Sequence, residues 1–307
     1  MRAVLAVAMV LALAILPLLA PWLQFVLTLA IAKGFAALGV AVLLRAGLIS
    51  IGHAMFYAMS AYGVAFLASA GVGDFATLLV SSVLIASMTG AVVGAFVIRY
   101  RAIFFAMLNL AVSMVFYSLF SKLYGITGGS DGIAIPIPNV LGIALSEPAF
   151  KDVLFYLSLT LMVLVGLGVH RYLDSPLGHA LSAVHTNEIR LEYLGIPVWA
   201  VLLIAYTLSA ALAGLGGAIA GFAIGRVVPD FAFWTSSGQL VLVAVLGGIG
   251  GVPGAFIGAL FLELLHTAAV TVTDAWNLIV GTALIAVIMF MPKGLYGLLE
   301  RRGGAGQ

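Results

Sequence analysis

Most of this chain has only apolar side chains, and the residues with chemistry in them are gathered in a few places. Asp174, His179, His185, Glu188, Arg190 and Glu192 all lie in the stretch DSPLGHALSAVHTNEIRLEYLGIP, from Asp174 to Pro197. Two histidines and two glutamates suggest acid–base or metal chemistry, but the spacing supports neither. The five histidines, His53, His170, His179, His185 and His266, are scattered, and none forms the i, i+4 pair of an H-E-x-x-H zinc helix. No metal site is expected. There is no G-x-x-x-x-G-K-[ST] phosphate loop, so any nucleotide that powers this protein is bound by another chain. With no cysteine, disulfides, thiol catalysis and thiolate-held metals are excluded.

Three more ionisable residues stand inside apolar runs, where charge is costly and therefore a functional candidate. Lys33 lies near the middle of its run, too deep for its stem to reach the interface well. Glu263 and His266 lie toward the end of another. Lys33, His53 and Glu263 are the candidate pathway or intramembrane polar residues. A proton relay needs a chain of carboxylates that the sequence lacks, and a Lys33–Glu263 ion pair with a purely structural role is the plainer alternative. A second polar island, YGITGGSDGI (Tyr124–Ile133), carries Thr127, Gly128, Gly129, Ser130 and Asp131. Its glycines permit positive φ and leave amides open. It reads as an exposed turn, or as a docking or gating loop.

The elements that hold these residues are set by lipid. Of 307 residues, 64% are hydrophobic and 8% charged, and mean hydropathy is +1.25; soluble domains carry about 25% charge. Runs of roughly 20 apolar residues suffice to cross a bilayer as helices. These runs are apolar on every face, which excludes the alternating strands of a barrel. Net charge is only +2, so nucleic acid is not an expected partner; membrane lipid is. The expectation is an all-α polytopic membrane protein with about ten transmembrane helices (roughly 8–10). They fall at 3–20, 22–44, 52–70, 76–98, 102–120, 153–172, 198–225, 237–249, 253–270 and 275–292. The first resembles a secretory signal but is read as an uncleaved span.

Lysine and arginine mark cytoplasmic loops. Arg2, Arg45, Arg99, Arg101, Arg171, Arg190, Lys293, Arg301 and Arg302 fall on one side. Asp74, an outer loop at about 121–152 and Val227–Ser236 fall on the other. Both termini and the 174–197 loop are then cytoplasmic. Around GGIGGVPG (Gly247–Gly254) the chain forms either two short helices or a re-entrant hairpin. Spans two to five and seven to ten would be inverted-topology halves. Small residues at helical spacing, among them Gly217, Gly221, Gly247, Gly248, Gly254 and Gly258, are expected at close helix contacts.

The opening stretch has its own punctuation. Ser175 before Pro176 is an N-cap followed by proline at the first helical position. Leu177, Leu181 and Val184 form an apolar stripe. His185–Asn187 interrupts it and caps a second short helix from Glu188, which stops at Gly195 ahead of Pro197. Short helix, elbow, short helix is the shape of an element that transmits force to a soluble partner.

At this point the residues resemble a family, the LivM-type permease subunits of ABC importers for branched-chain amino acids. GLISIGHAMFYAMSAYGVAFL (Gly47–Leu67), TGGSDGI (Thr127–Ile133) and SPLGHALSAVHTNEIRLEYLGI (Ser175–Ile196) carry the likeness, followed in order by LSAALAGLGGAIAG, LGGIGGVPGAFIGA and MPKGLYGLL. The resemblance implies one transmembrane permease domain over 1–307 with the ABC importer permease fold, in a bacterial or archaeal inner membrane. It implies no catalytic residues and no cofactor in this chain, with ATP and Mg on two cytoplasmic ATPase subunits that drive alternating access. A second homologous permease would complete a heterodimer, and a periplasmic or lipid-anchored binding protein would deliver substrate. The 174–197 loop would couple to the ATPases through Ser175, Pro176, Gly178, Asn187, Glu188 and Gly195. Where the family has arginines this loop has His179 and His185, which suggests a co-adapted ATPase. A related permease for urea, amides or simple sugars is the near alternative, and an ion-coupled secondary carrier the distant one.

Overall fold

The computed structural model describes residues 13–17, 20–248, 250–272, 275–291 and 294–301. The expected first span, 3–20, lies outside these except for 13–17 and Ala20. The main helices are α1 (Trp22–Leu44), α2 (His53–Ser69), α3 (Phe75–Val97), α4 (Ala102–Lys122), α5 (Glu147–Leu173) and α6 (Pro176–Tyr193). They continue with α7 (Val198–Ile224), α8 (Trp234–Gly247), α9 (Val252–Val272), α10 (Trp276–Phe290) and α11 (Gly294–Arg301). Among the described residues, 6 helices are long and apolar enough to cross a membrane: α1, α3, α4, α5, α7 and α9. That is fewer than the expected ten. The region 237–270 resolves into two separate helices, of which α8, at 14 residues, is short for a full crossing. At 17 residues, α2 is also short.

The core is built on α1 and α7, which pack directly on each other. In lipid, apolar burial does not drive helix association, so close backbone approach has to do it. At the α1–α7 crossing a Cβ added to Gly216 would stand 2.2 Å from the Ala32 carbonyl oxygen. One added to Gly217 would stand 1.9 Å from that of Tyr57 on α2. Only glycine fits at either place. Helices α8 and α9 meet in the same way, with Gly247 against the Gly254 carbonyl and Gly258 against that of Val243. Gly221 is looser, facing the Ile135 side chain.

The contacts repeat themselves. α3 packs on α7 as α9 packs on α1, and α2 packs on α7 as α8 packs on α1. α2 pairs with α3 as α8 does with α9, and α4 touches α2 and α3 as α10 touches α8 and α9. Exchanging α1–α4 with α7–α10 preserves the pattern, as inverted repeats would. The two counterparts α2 and α8 start inside the bundle. The Ala54 N–H donates to Ser237 Oγ at 3.0 Å, and His53, Ala54 and Ser237 are fully buried.

The bundle has two distinct ends. At one, β1 (Ile133–Ala134) pairs antiparallel with β2 (Arg226–Val227), and Asp74 bridges to Asn139. At the other, the 45–52 segment, the 98–101 turn, α6 and Gly250 come together. There Arg101 bonds Glu188, His185 lies against Gly47, and Arg45 Nη2 is 3.4 Å from the Gly250 carbonyl.

Candidate functional site

The 174–197 segment has the expected starts and stops. Ser175 Oγ accepts from the Gly178 N–H at 3.3 Å and donates to the Tyr172 carbonyl at 2.6 Å. Gly178 is wedged against the Leu173 and Tyr172 carbonyls, 2.3 and 2.5 Å from where a Cβ would sit. The helix breaks at Asn187, whose φ of −162° and ψ of 99° are extended. Asn187 Oδ1 accepts from the Arg190 N–H at 3.0 Å, capping the second half. Gly195, at φ +78°, ends it in the left-handed region. The buried stripe is Gly178, Ala180, Leu181, Val184 and Leu191. Leu177, expected in that stripe, is 41% exposed.

Glu188 does not hang free from this element. Arg101, at the start of α4, takes both its carboxylate oxygens, Nε to Oε2 at 2.9 Å and Nη2 to Oε1 at 2.5 Å. In the sequence Arg101 stands out only as one of the basic residues on this side, and a separation of 87 residues hides the pairing. His179 Nδ1 lies 2.9 Å from the Ser175 carbonyl. The outward surface of the second half carries Ile189, Tyr193 and Leu194, all well exposed.

Lys33 of α1 and Glu263 of α9 form a direct ion pair, Nζ to Oε2 at 2.6 Å. Glu263 is almost sealed, with 6% of its side chain exposed against 29% for Lys33. A cavity of about 230 Å³ lies beside the pair, and Lys33, Tyr57, Gln239, Leu240, Val243 and Leu262 are among its lining residues.

His53 does not line this cavity. It is buried in a separate network, where Nδ1 lies 2.9 Å from Ser50 Oγ and Nε2 bonds Ser209 Oγ. Ser209 Oγ donates to the Gly39 carbonyl at 2.6 Å, so it accepts from the ring. The imidazole therefore carries its proton on Nε2 and receives the Ser50 hydroxyl at Nδ1. The group ties α1, α2 and α7 together. Nearby, the Tyr206 hydroxyl donates to Asn109 Oδ1 at 2.5 Å.

The 124–132 loop is held by its own groups. Thr127 Oγ1 donates to the Phe120 carbonyl at 2.6 Å, and Gly128, Gly129 and Gly132 all have positive φ. The Tyr124 hydroxyl donates to Asp131 Oδ2 at 3.0 Å, and that carboxylate pushes the phenol above its ordinary range. Arg226 Nη1 donates to the Asp131 carbonyl at 3.0 Å, fastening the loop to β2. The letters of Gly128–Gly132 match a serine nucleophile elbow, but Ser130 sits in an exposed 3₁₀ turn and not at a strand-to-helix turn. Among the described residues no cluster of three or more histidine or acidic side chains is placed to hold a metal.

With this geometry established, comparison with known proteins is decisive. The family described as "Branched-chain amino acid transport system / permease component" matches residues 22–290. The chain belongs to that family. Among curated relatives it is 28% identical to the high-affinity branched-chain amino acid transport permease LivM of Escherichia coli strain K12, over 81% of this chain and 64% of LivM. It is 27% identical to LivH of the same strain, over 62% of this chain and 64% of LivH. It is 33% identical to the autoinducer 2 import system permease LsrC of Klebsiella pneumoniae, over 48% of this chain and 44% of LsrC. The chain thus spans 64% of the length of the LivM and LivH relatives. No solved structure matches it significantly. Family membership and the long apolar helices make this a multi-pass membrane protein of that family.

Proposed function

We propose that the chain is a transmembrane permease subunit of an ABC importer and forms a translocation pathway for branched-chain or other hydrophobic amino acids. The observation that carries this reading is α6, a helix broken at Asn187, with Ser175 capping its first half and Asn187 its second, and tied to the bundle by Arg101. Its exposed Ile189, Tyr193 and Leu194 give an apolar surface suited to a soluble partner. That partner is one of two ATPase subunits, which bind ATP and Mg and drive alternating access. The excess of lysine and arginine at the α6 end supports a cytoplasmic location for that end, with the β1–β2 end on the opposite side of the inner membrane. A second, homologous permease, in keeping with the two permeases named LivM and LivH, and a substrate-binding protein complete the assembly. Co-expression with ATPases, second permease and binding protein is expected to give ATP-dependent leucine uptake that this chain alone does not. Uptake that persists after deletion of the ATPases would overturn the reading.

A different small polar solute is the second reading, favoured by the likeness to a permease named for autoinducer 2 import. Uptake competition between leucine and such solutes separates the two.

A further inference from the structure

Lys33 is more than half of a structural pair. Its ammonium has three donors, and among the described residues only Glu263 takes one. Glu263 is nearly sealed, whereas Lys33 remains partly open and lines the 230 Å³ cavity. A pair that served packing alone would have both members enclosed. In the same cavity the Tyr57 hydroxyl and the Gln239 amide make no hydrogen bond to another described residue, and Leu240, Val243 and Leu262 supply apolar wall. The volume is below the roughly 300–1,000 Å³ of clefts for drug-sized ligands, so the site suits a solute of amino-acid size. A cation with free donors beside an apolar wall fits a small molecule with a carboxylate at one end and a hydrocarbon tail at the other.

We infer that Lys33 binds the α-carboxylate of an apolar amino acid in this cavity. Glu263 acts as a positioning residue that keeps the lysine aimed, and Leu240, Val243 and Leu262 receive the side chain. This rests on the proposed function and adds to it that the permease itself, and not only a delivering protein, reads the carboxylate.

The test uses the full chain in lipid nanodiscs and measures binding by ligand-observed NMR. The probes are L-leucine, L-leucinamide (no carboxylate) and 4-methylpentanoate (no ammonium). L-leucine is expected to bind, with leucinamide weaker by about tenfold or more, as loss of a hydrogen bond to a charged group predicts. 4-Methylpentanoate is expected to keep binding. The Lys33→Met/Glu263→Gln double variant removes both charges together and leaves no unpaired charge buried, so it is expected to fold and to lose the preference for leucine over leucinamide. Equal binding of leucine and leucinamide by the native chain, a preference undiminished in the folded double variant, or no leucine binding would each overturn the inference. ATP-driven leucine uptake by the assembled importer is measured alongside. Uptake that is unchanged in the double variant removes the site and leaves the proposed function. A working site without ATP-driven uptake does the reverse.

Discussion

Arg101 grips Glu188 through both carboxylate oxygens, at 2.9 and 2.5 Å. Two parallel bonds from a planar guanidinium fix direction as well as distance, so the second half of α6 is held to the start of α4. Both side chains are about one-third exposed, so solvent screens the pair and its contribution to overall stability is modest. Its importance is orientation. Glu188→Lys puts a like charge against Arg101 and is expected to lower uptake by the assembled importer at least tenfold while ATP hydrolysis persists. Arg101→Glu/Glu188→Arg restores the pairing and is expected to recover part of the uptake, a coupling that a double-mutant cycle measures. Uptake unchanged in Glu188→Lys would show that the pair orients nothing.

The break at Asn187 is a separate device. Its Oδ1 caps the Arg190 N–H while its backbone is extended. Asn187→Ala removes the cap at a cost of about 1 kcal/mol and allows one continuous helix across the elbow. Asn187→Asp keeps an acceptor in place. Amide exchange over 188–193 is expected to change in the alanine variant and not in the aspartate one.

The glycines on α7 and α8 separate crowding from propensity. Gly217→Ala drives a methyl into the Tyr57 carbonyl, 1.9 Å away. Backbone cannot yield as a side-chain tip can, so α7 is pushed off α2 at a cost of about 1–3 kcal/mol or more. Gly238 in α8 has nothing within 4 Å of an added Cβ, and Gly238→Ala is expected to be neutral or to gain up to about 1 kcal/mol in helix propensity. Thermal unfolding in detergent reads both, and a Gly217→Ala protein as stable as the native one would refute the close approach.

The Lys33–Glu263 pair gives a stability comparison that does not depend on ligand. Lys33→Met alone leaves a carboxylate buried without its partner, which typically costs about 3–5 kcal/mol. The neutral double variant removes that penalty and is expected to unfold within a few degrees of the native protein. A single variant as stable as the double would mean that solvent, not Lys33, satisfies Glu263.

How much of this was readable in advance follows the range of each signal. The apolar helices were legible because lipid requires continuous apolar surface and satisfied backbone, so 22–44, 102–120 and 198–225 reappear as α1, α4 and α7. Ser175, Pro176 and Gly195 were legible because caps act over three or four residues. Partnerships across the fold were not. Arg101 with Glu188, or Ala54 with Ser237, join residues 87 and 183 apart, and no local pattern encodes them. Lys33 and Glu263 suggest a pair only because so few charges stand in apolar runs. His53 stands out for the same reason, and no local pattern marks its bond to Ser209.

The end of the bundle opposite α6 offers a test in pH. Asp74 caps α3, with Oδ2 accepting from both the N–H and the hydroxyl of Thr77 at 2.9 Å. Those donors favour the carboxylate and hold Asp74 below its ordinary value of 3.8. A depressed value in the folded state means that the cap's contribution is fully present above 3.8 and is lost as pH falls below it, through the lowered folded value. The carboxylate is exposed, so the effect is local: it steadies the first turn of α3 and the Asp74–Asn139 bridge. Asp74→Ala is expected to speed exchange of the Thr77 amide at pH 6, corrected for intrinsic rate, and to approach the native protein as the pH is lowered toward 3. A difference between the two that stayed constant from pH 6 to pH 3 would rule out the charged cap as its cause.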